Sequence, residues 1–112
     1  MRFPYAAFNR SNYDLLAISA NWPVARIDQW KALLSARAIE NQSFCIGVNR
    51  IGKDSNDYQY NGQSRVVDYL GNTILDCGEE EGFYTTELDI RSMHTYRVRL
   101  PFLRDQKSPS IG

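Results

Sequence analysis

Sulfur and imidazole are scarce in this chain, which has 2 cysteines and 1 histidine. That supply rules out a disulfide framework and leaves no spacing of ligands for a structural metal. Net charge is missing too: 13 lysines and arginines balance 13 aspartates and glutamates. Without a basic field there is nothing to draw nucleic acid or an anionic membrane. No apolar run approaches the roughly 20 residues that a bilayer span needs. The opening Met1-Arg2-Phe3-Pro4-Tyr5 lacks the long apolar stretch of a secretion signal. A soluble cytoplasmic protein with free thiols is therefore expected. There is no glycine-rich phosphate loop, no repeat and no low-complexity linker, and no cofactor or metal is expected. What is present suffices for a core, since 43% of the residues are hydrophobic and 12% aromatic. With 112 residues the chain is expected to form a single domain, residues 1–112.

The order of periodic segments points to an α/β fold. Pro4 suits the first turn of a short helix. Tyr13 to Ala20 is an apolar run of strand length without alternation, which predicts a strand covered on both faces. The turn Asn21-Trp22-Pro23 ends it. From about Ala25 to Asn41, Ile27, Trp30, Leu34 and Ala38 recur at helical spacing, with Arg26, Asp28, Lys31 and Arg37 largely elsewhere. Phe44 to Val48 is a second strand, completing strand–helix–strand. Residues 52–62 are polar and read as a loop or hairpin. Ser64–Tyr69 and Thr73–Cys77, joined by Leu70-Gly71-Asn72, read as a hairpin. Phe83–Leu88 is expected to be a strand, and Asp89 to cap a helix from Ile90 to about Arg97.

Nothing in these residues alone supplies a catalytic centre. Cys45 lies between Phe44 and Ile46, where burial favours an inert thiol. Cys77 precedes Glu79, Glu80 and Glu81, whose negative field disfavours a thiolate. His94 has no serine or cysteine near it in sequence, and a surface position is expected.

Several clusters, taken together and in order, say more. Arg2-Phe3-Pro4 resembles the Arg-Phe-Pro that follows the nucleophilic cysteine in nitrilase-superfamily carbon–nitrogen hydrolases. Tyr13-Asp14-Leu15-Leu16, leading into Ala20-Asn21-Trp22-Pro23, is similar to the strand and loop beside the substrate pocket of the omega-amidase-like branch. Arg37-Ala38-Ile39-Glu40-Asn41 resembles the signature helix of that superfamily. Gly47-Val48-Asn49-Arg50-Ile51-Gly52, Gly62 with Ser64, Asp68-Tyr69-Leu70-Gly71, and Phe102-Leu103-Arg104-Asp105 continue the pattern.

The resemblance implies the C-terminal part of an α-β-β-α sandwich, a mixed β-sheet with covering helices, in a family that forms dimers, with residues 101–112 as a dimer-contacting tail. It also implies amide hydrolysis by a Glu–Lys–Cys thioester mechanism on substrates of the 2-oxoglutaramate type. In the family all three catalytic residues precede Arg-Phe-Pro, so catalytic residues are expected upstream of Met1 and none here. Asn21 and Trp22 are candidates for the pocket wall, the other reading being an ordinary turn with a buried tryptophan. Arg2 is a third pocket candidate, beside the nucleophile, or else a structural ion pair, for instance with Glu40. Arg37, Glu40, Asn41, Asn49 and Ser64 form a candidate supporting shell, with Arg50 a weaker member. For Arg37 and Asn41, bonding to loop backbone is the favoured role. Two functions stand open: a piece of an amidase whose partner in the intact enzyme is a small amide, or a non-catalytic chain that completes or binds a separate amidase chain.

Overall fold

Leu15–Ala20 (β1) and Phe44–Asn49 (β2) run parallel, with Leu15 opposite Phe44 and Ala20 opposite Asn49. Parallel neighbours need a crossover, and the helix Ile27–Glu40 (α1) provides it. The computed structural model describes residue 9 and residues 13–105. The expected helix after Pro4, and Arg2, lie outside the described residues, as does the tail from 106 onward.

After β2 the chain folds Ile51–Lys53 (β3) against Gln59–Asn61 (β4) as a separate antiparallel hairpin. Arg65–Val67 (β5) then pairs antiparallel with β2, and Thr73–Asp76 (β6) with β5. The sheet order is β1-β2-β5-β6, a mixed sheet as expected. The β5–β6 turn is held by Asp68, whose Oδ1 accepts from the N–H groups of Leu70 and Asn72, both at 2.9 Å. Ile90–Arg99 (α2) follows, with Asp89 capping it by accepting from the Ser92 N–H at 2.9 Å.

The helix α1 covers one face of the sheet. Trp30, Leu34 and Ala38 are buried against Cys45 and Val67, and Leu16, Ile18, Ala20, Trp22 and Ile27 pack around them. Full burial of side chains such as Leu34 contributes about 1.5–3 kcal/mol each. Contact is close at Gly47, where an added Cβ would lie 2.5 Å from Leu34 Cδ1 and 2.7 Å from Trp30 Cζ2.

The structure corrects several expectations. β1 is not covered on both faces: Leu16, Ile18 and Ala20 turn to α1, while Leu15, Ala17 and Ser19 are exposed. An apolar run without alternation thus marks a strand whose second face is open among the described residues. Phe83–Leu88 makes no strand. Backbone there finds no ladder partner, and Phe83 is fully exposed. Val24–Arg26 form a 3-10 turn rather than the first turn of α1. Arg37 belongs to the buried face of α1, at 6% exposure, because its guanidinium is neutralised by Glu40 at 2.6 Å one turn on.

Candidate functional site

Because β1 and β2 are parallel, their carboxyl ends open at the same edge of the sheet, where α/β folds commonly place ligands. Asn21 and Trp22 leave β1 there, Asn49 ends β2, and Ser64 precedes the antiparallel β5 at the same level. Asn49 ties them together. Its Oδ1 accepts from the Trp22 N–H at 2.7 Å, and its Nδ2 donates to the carbonyls of Trp22 at 2.8 Å and Gly62 at 2.9 Å. Its own N–H donates to Ser64 Oγ at 2.9 Å. A buried amide satisfied by backbone from separate loops fixes their relative position.

Trp22 is half-buried, with its ring centroid 6.0 Å from that of Trp30, and its indole N–H donates to the Arg26 carbonyl. Trp30 in turn donates to the Gln63 carbonyl at 2.9 Å. Asn21 is exposed beyond the strand end. The 21–22 loop is therefore held by its backbone and its tryptophan, while Asn21 is left facing outward.

Arg37, Glu40 and Asn41 do not join this group. The helix α1 runs back against the strands, and its 14 residues carry them roughly 21 Å away, to the amino end of the sheet. There the Asn41 carboxamide accepts from the Asn9 N–H at 3.1 Å and donates to the Arg37 carbonyl at 2.9 Å. Asn9 Nδ2 donates to Ser43 Oγ at 3.0 Å. Arg97, on α2, completes the knot: it donates to Ser43 Oγ at 2.7 Å, to the carbonyls of Tyr13 at 2.8 Å and Gln42 at 2.9 Å, and to Asp14 Oδ1 at 3.0 Å.

Electrostatics at this end favour packing over chemistry. Burial pushes the Cys45 thiol up to about 11, against the lowering effect of Arg37. Burial also raises the Tyr13 phenol to about 12, assisted by Cys45 and Glu40 and opposed by Arg97. Neither is ionised near neutrality, so neither is a ready nucleophile. His94 is exposed, with Nε2 2.9 Å from Asp14 Oδ1. That hydrogen bond, with the Arg97 guanidinium beside it, holds the Asp14 carboxyl below its ordinary value. At Cys77, burial raises the thiol and the charge that adds to it is Asp76, not the glutamates at 79–81.

The uncovered face of the sheet forms a groove of about 1000 Å³ floored by Ile46, Val48, Val66 and Leu75. Arg50, Glu80 and Glu81 also line it. Among the described residues no three of His, Cys, Asp and Glu gather as metal ligands would. Arg97 and Asp14 were missed as a cross-link between α2 and β1. The only trace in the sequence is an arginine in the last turn of α2, where such residues are common anyway.

This mixed sheet, with its helix crossover and a loop cluster at the strand ends, is an α/β architecture. Residues 2–98 match the carbon-nitrogen hydrolase family, and the chain belongs to it. It is 41% identical over 106 residues to the omega-amidase YafV of Yersinia enterocolitica, covering 94% of this chain and 41% of that protein. It is 39% identical over 92 residues to the 2-oxoglutaramate amidase of Bacillus subtilis, covering 82% of this chain and 35% of that protein. In structure it is similar to a CN-hydrolase superfamily protein of Xanthomonas campestris that carries an arsenic adduct in its active site. The TM-score is 0.90 and the identity 40%, over 96% of this chain and 43% of that one. The chain spans about two fifths of the length of these relatives. No helix among the described residues is long and apolar enough to cross a membrane.

Proposed function

We propose that this chain builds the carboxyl-terminal, pocket-supporting part of an amidase that hydrolyses the C–N bond of small amides, with monoamides of 2-oxo dicarboxylic acids as its substrate class. The observation that carries this is the Asn49 side chain, bonded to both the N–H and the carbonyl of Trp22 and to Gly62. It fixes the Asn21-Trp22 loop at the strand ends, in a chain similar to an omega-amidase and a 2-oxoglutaramate amidase.

In this reading the nucleophilic cysteine, the basic glutamate and the lysine come from residues preceding Met1, as the family motif around Arg2-Phe3-Pro4 implies. The cysteine attacks the amide carbonyl, ammonia leaves after protonation, and water hydrolyses the thioester to the acid. Asn21 and Trp22 form part of the pocket wall, Arg2 stands by the nucleophile, and Asn49 and Ser64 hold the wall in place. Arg37, Glu40 and Asn41 serve the fold at the other end of the sheet. Both cysteines are free thiols, which accords with a cytoplasmic location.

A second reading is a non-catalytic partner that completes or binds another amidase chain, homodimers included. The exposed apolar side of the sheet, with Leu15 at 39% and Val48 at 53% exposure, favours it.

Ammonia release from 2-oxoglutaramate separates these. The chain alone is expected to release none, and the product of the same reading frame extended upstream is expected to release it. Activity of the chain alone would refute the upstream catalytic residues. Inactivity of the extended product, with this chain raising the rate of a separate homologue, would establish the partner reading instead.

A further inference from the structure

Leu34, Ala38 and Val67 fill the core with apolar atoms alone, whereas Trp30, fully buried beside them, brings an indole N–H. We propose that Trp30 is a positioning residue for amide hydrolysis, holding the Asn21-Trp22 loop and the 62–64 turn in place through its ring and its N–H, an inference that rests on the amidase reading. The helix α1 runs against the parallel strands, so its first turn, which holds Trp30, lies at their carboxyl end. A buried indole needs an acceptor. Trp30 finds one outside the core, at the Gln63 carbonyl 2.9 Å away.

That carbonyl belongs to an unusual turn. Gly62 and Gln63 are both left-handed, at φ 72° and 58°. Glycine adopts this conformation freely, but a glutamine with its Cβ does not. Gln63 is kept there by several bonds at once. Its carbonyl also accepts from Arg65 Nε at 3.2 Å, and its Oε1 accepts from Arg65 Nη2 at 2.9 Å. Its own N–H donates to the Gly78 carbonyl at 2.8 Å. The residues on either side of it are those that meet Asn49: Gly62 through its carbonyl and Ser64 through its Oγ. Trp30 therefore fastens to α1 the same turn that Asn49 fastens to β2.

The ring supports the other wall. Its centroid lies 6.0 Å from that of Trp22, with the planes tilted by 38°. Where it meets β2 only glycine fits, since a Cβ at Gly47 would lie 2.7 Å from Trp30 Cζ2. A ring packed this closely on backbone has little room to shift, so Trp22 rests on a fixed surface. Its peptide groups are bonded to Asn49. Both walls thus bear on α1 as well as on each other, and chemistry in a pocket depends on walls held this closely.

Trp30→Phe keeps an aromatic ring in the core and removes the N–H. Leu34→Ala weakens the same core at a residue with no polar group to offer either wall. In the amidase form, with 2-oxoglutaramate and at temperatures where both variants are folded, Trp30→Phe is expected to lower kcat about 10-fold and change KM less than about twofold. Leu34→Ala is expected to leave kcat unchanged despite the larger fall in Tm. An unchanged kcat in Trp30→Phe, or an equal fall in both variants, overturns the proposal. Amide hydrogen exchange tests the link without activity. In Trp30→Phe it is expected to quicken about 10-fold at Trp22, Asn49 and Gln63, the scale of one lost hydrogen bond, and to stay as it was at Ser43 and Phe44. If Trp30→Phe does not fold, 3-benzothienylalanine at position 30, with sulfur in place of the indole N–H, carries the same expectations. If no form of the protein hydrolyses any amide, the amidase reading fails and exchange alone decides the link. Faster exchange confined to Trp22, Asn49 and Gln63 then upholds it, and uniform or unchanged exchange removes it.

Discussion

The two ends of the sheet are built from similar materials and do different things. At the amino end Asn9, Asn41, Ser43 and Arg97 spend their polar atoms on one another and on backbone, closing a knot between α1, β1 and α2. At the carboxyl end Asn49 is equally buried and equally satisfied, yet it immobilises two loops whose neighbouring side chains, Asn21 and Arg50, stay exposed. Buried asparagines thus serve stability in one place and preorganisation in the other. The sign of the second role is the presence of exposed polar groups one residue away from the clamp.

Breaking the first end should cost the most stability. Arg97→Met leaves the Gln42 carbonyl without its donor and takes one donor each from the Tyr13 carbonyl, Ser43 and Asp14, and a loss of about 2–4 kcal/mol is expected in denaturant unfolding. Activity per folded molecule in the amidase form should not change. If activity fell with stability intact, the amino end would belong to the site after all.

Asn49→Ala should show the reverse balance. Leaving the Trp22 peptide groups unpaired is expected to destabilise by about 2 kcal/mol. Loosening the 21–22 loop should add a loss of on the order of 10-fold in kcat/KM at temperatures where the variant is folded. A purely structural Asn49 would change unfolding alone.

The smallest effect concerns acid. The Asp14 carboxyl lies below its ordinary 3.8, chiefly through the hydrogen bond with His94 and then through Arg97. A depressed carboxyl contributes stability above its unfolded pKa and loses it as pH falls through the folded value. The wild type should therefore lose stability relative to Asp14→Asn on acidification through the carboxylate range, with helix α2 loosening first by hydrogen exchange. Parallel curves for the two proteins would mean that Asp14 contributes nothing at this end.

Much of this was legible in the residues. The period of Trp30, Leu34 and Ala38 marked the buried face of α1, and Asp89 marked the start of α2, because helical spacing and capping are local effects. The hairpin at Asp68–Asn72 was readable for the same reason. The chain's open sheet face was not: an apolar strand reads alike whether one side or both are covered. The Phe83–Leu88 segment has strand composition, but a strand exists only where a neighbour completes its hydrogen bonds. Arg37 went unrecognised as buried because its neutralisation by Glu40 depends on packing.

For the candidate site, motif order brought Asn21, Trp22, Asn49 and Ser64 forward together with Arg37, Glu40 and Asn41, with bonding to loop backbone the favoured role for Arg37 and Asn41. The run of the chain through α1 separated them. By itself the sequence determined the family, the strand–helix–strand order and the helix face that forms the core, since these rest on local spacing and on motifs along the chain. Tertiary structure alone decided which end of the sheet each polar residue serves, because parallel pairing and burial are relations between residues far apart in sequence.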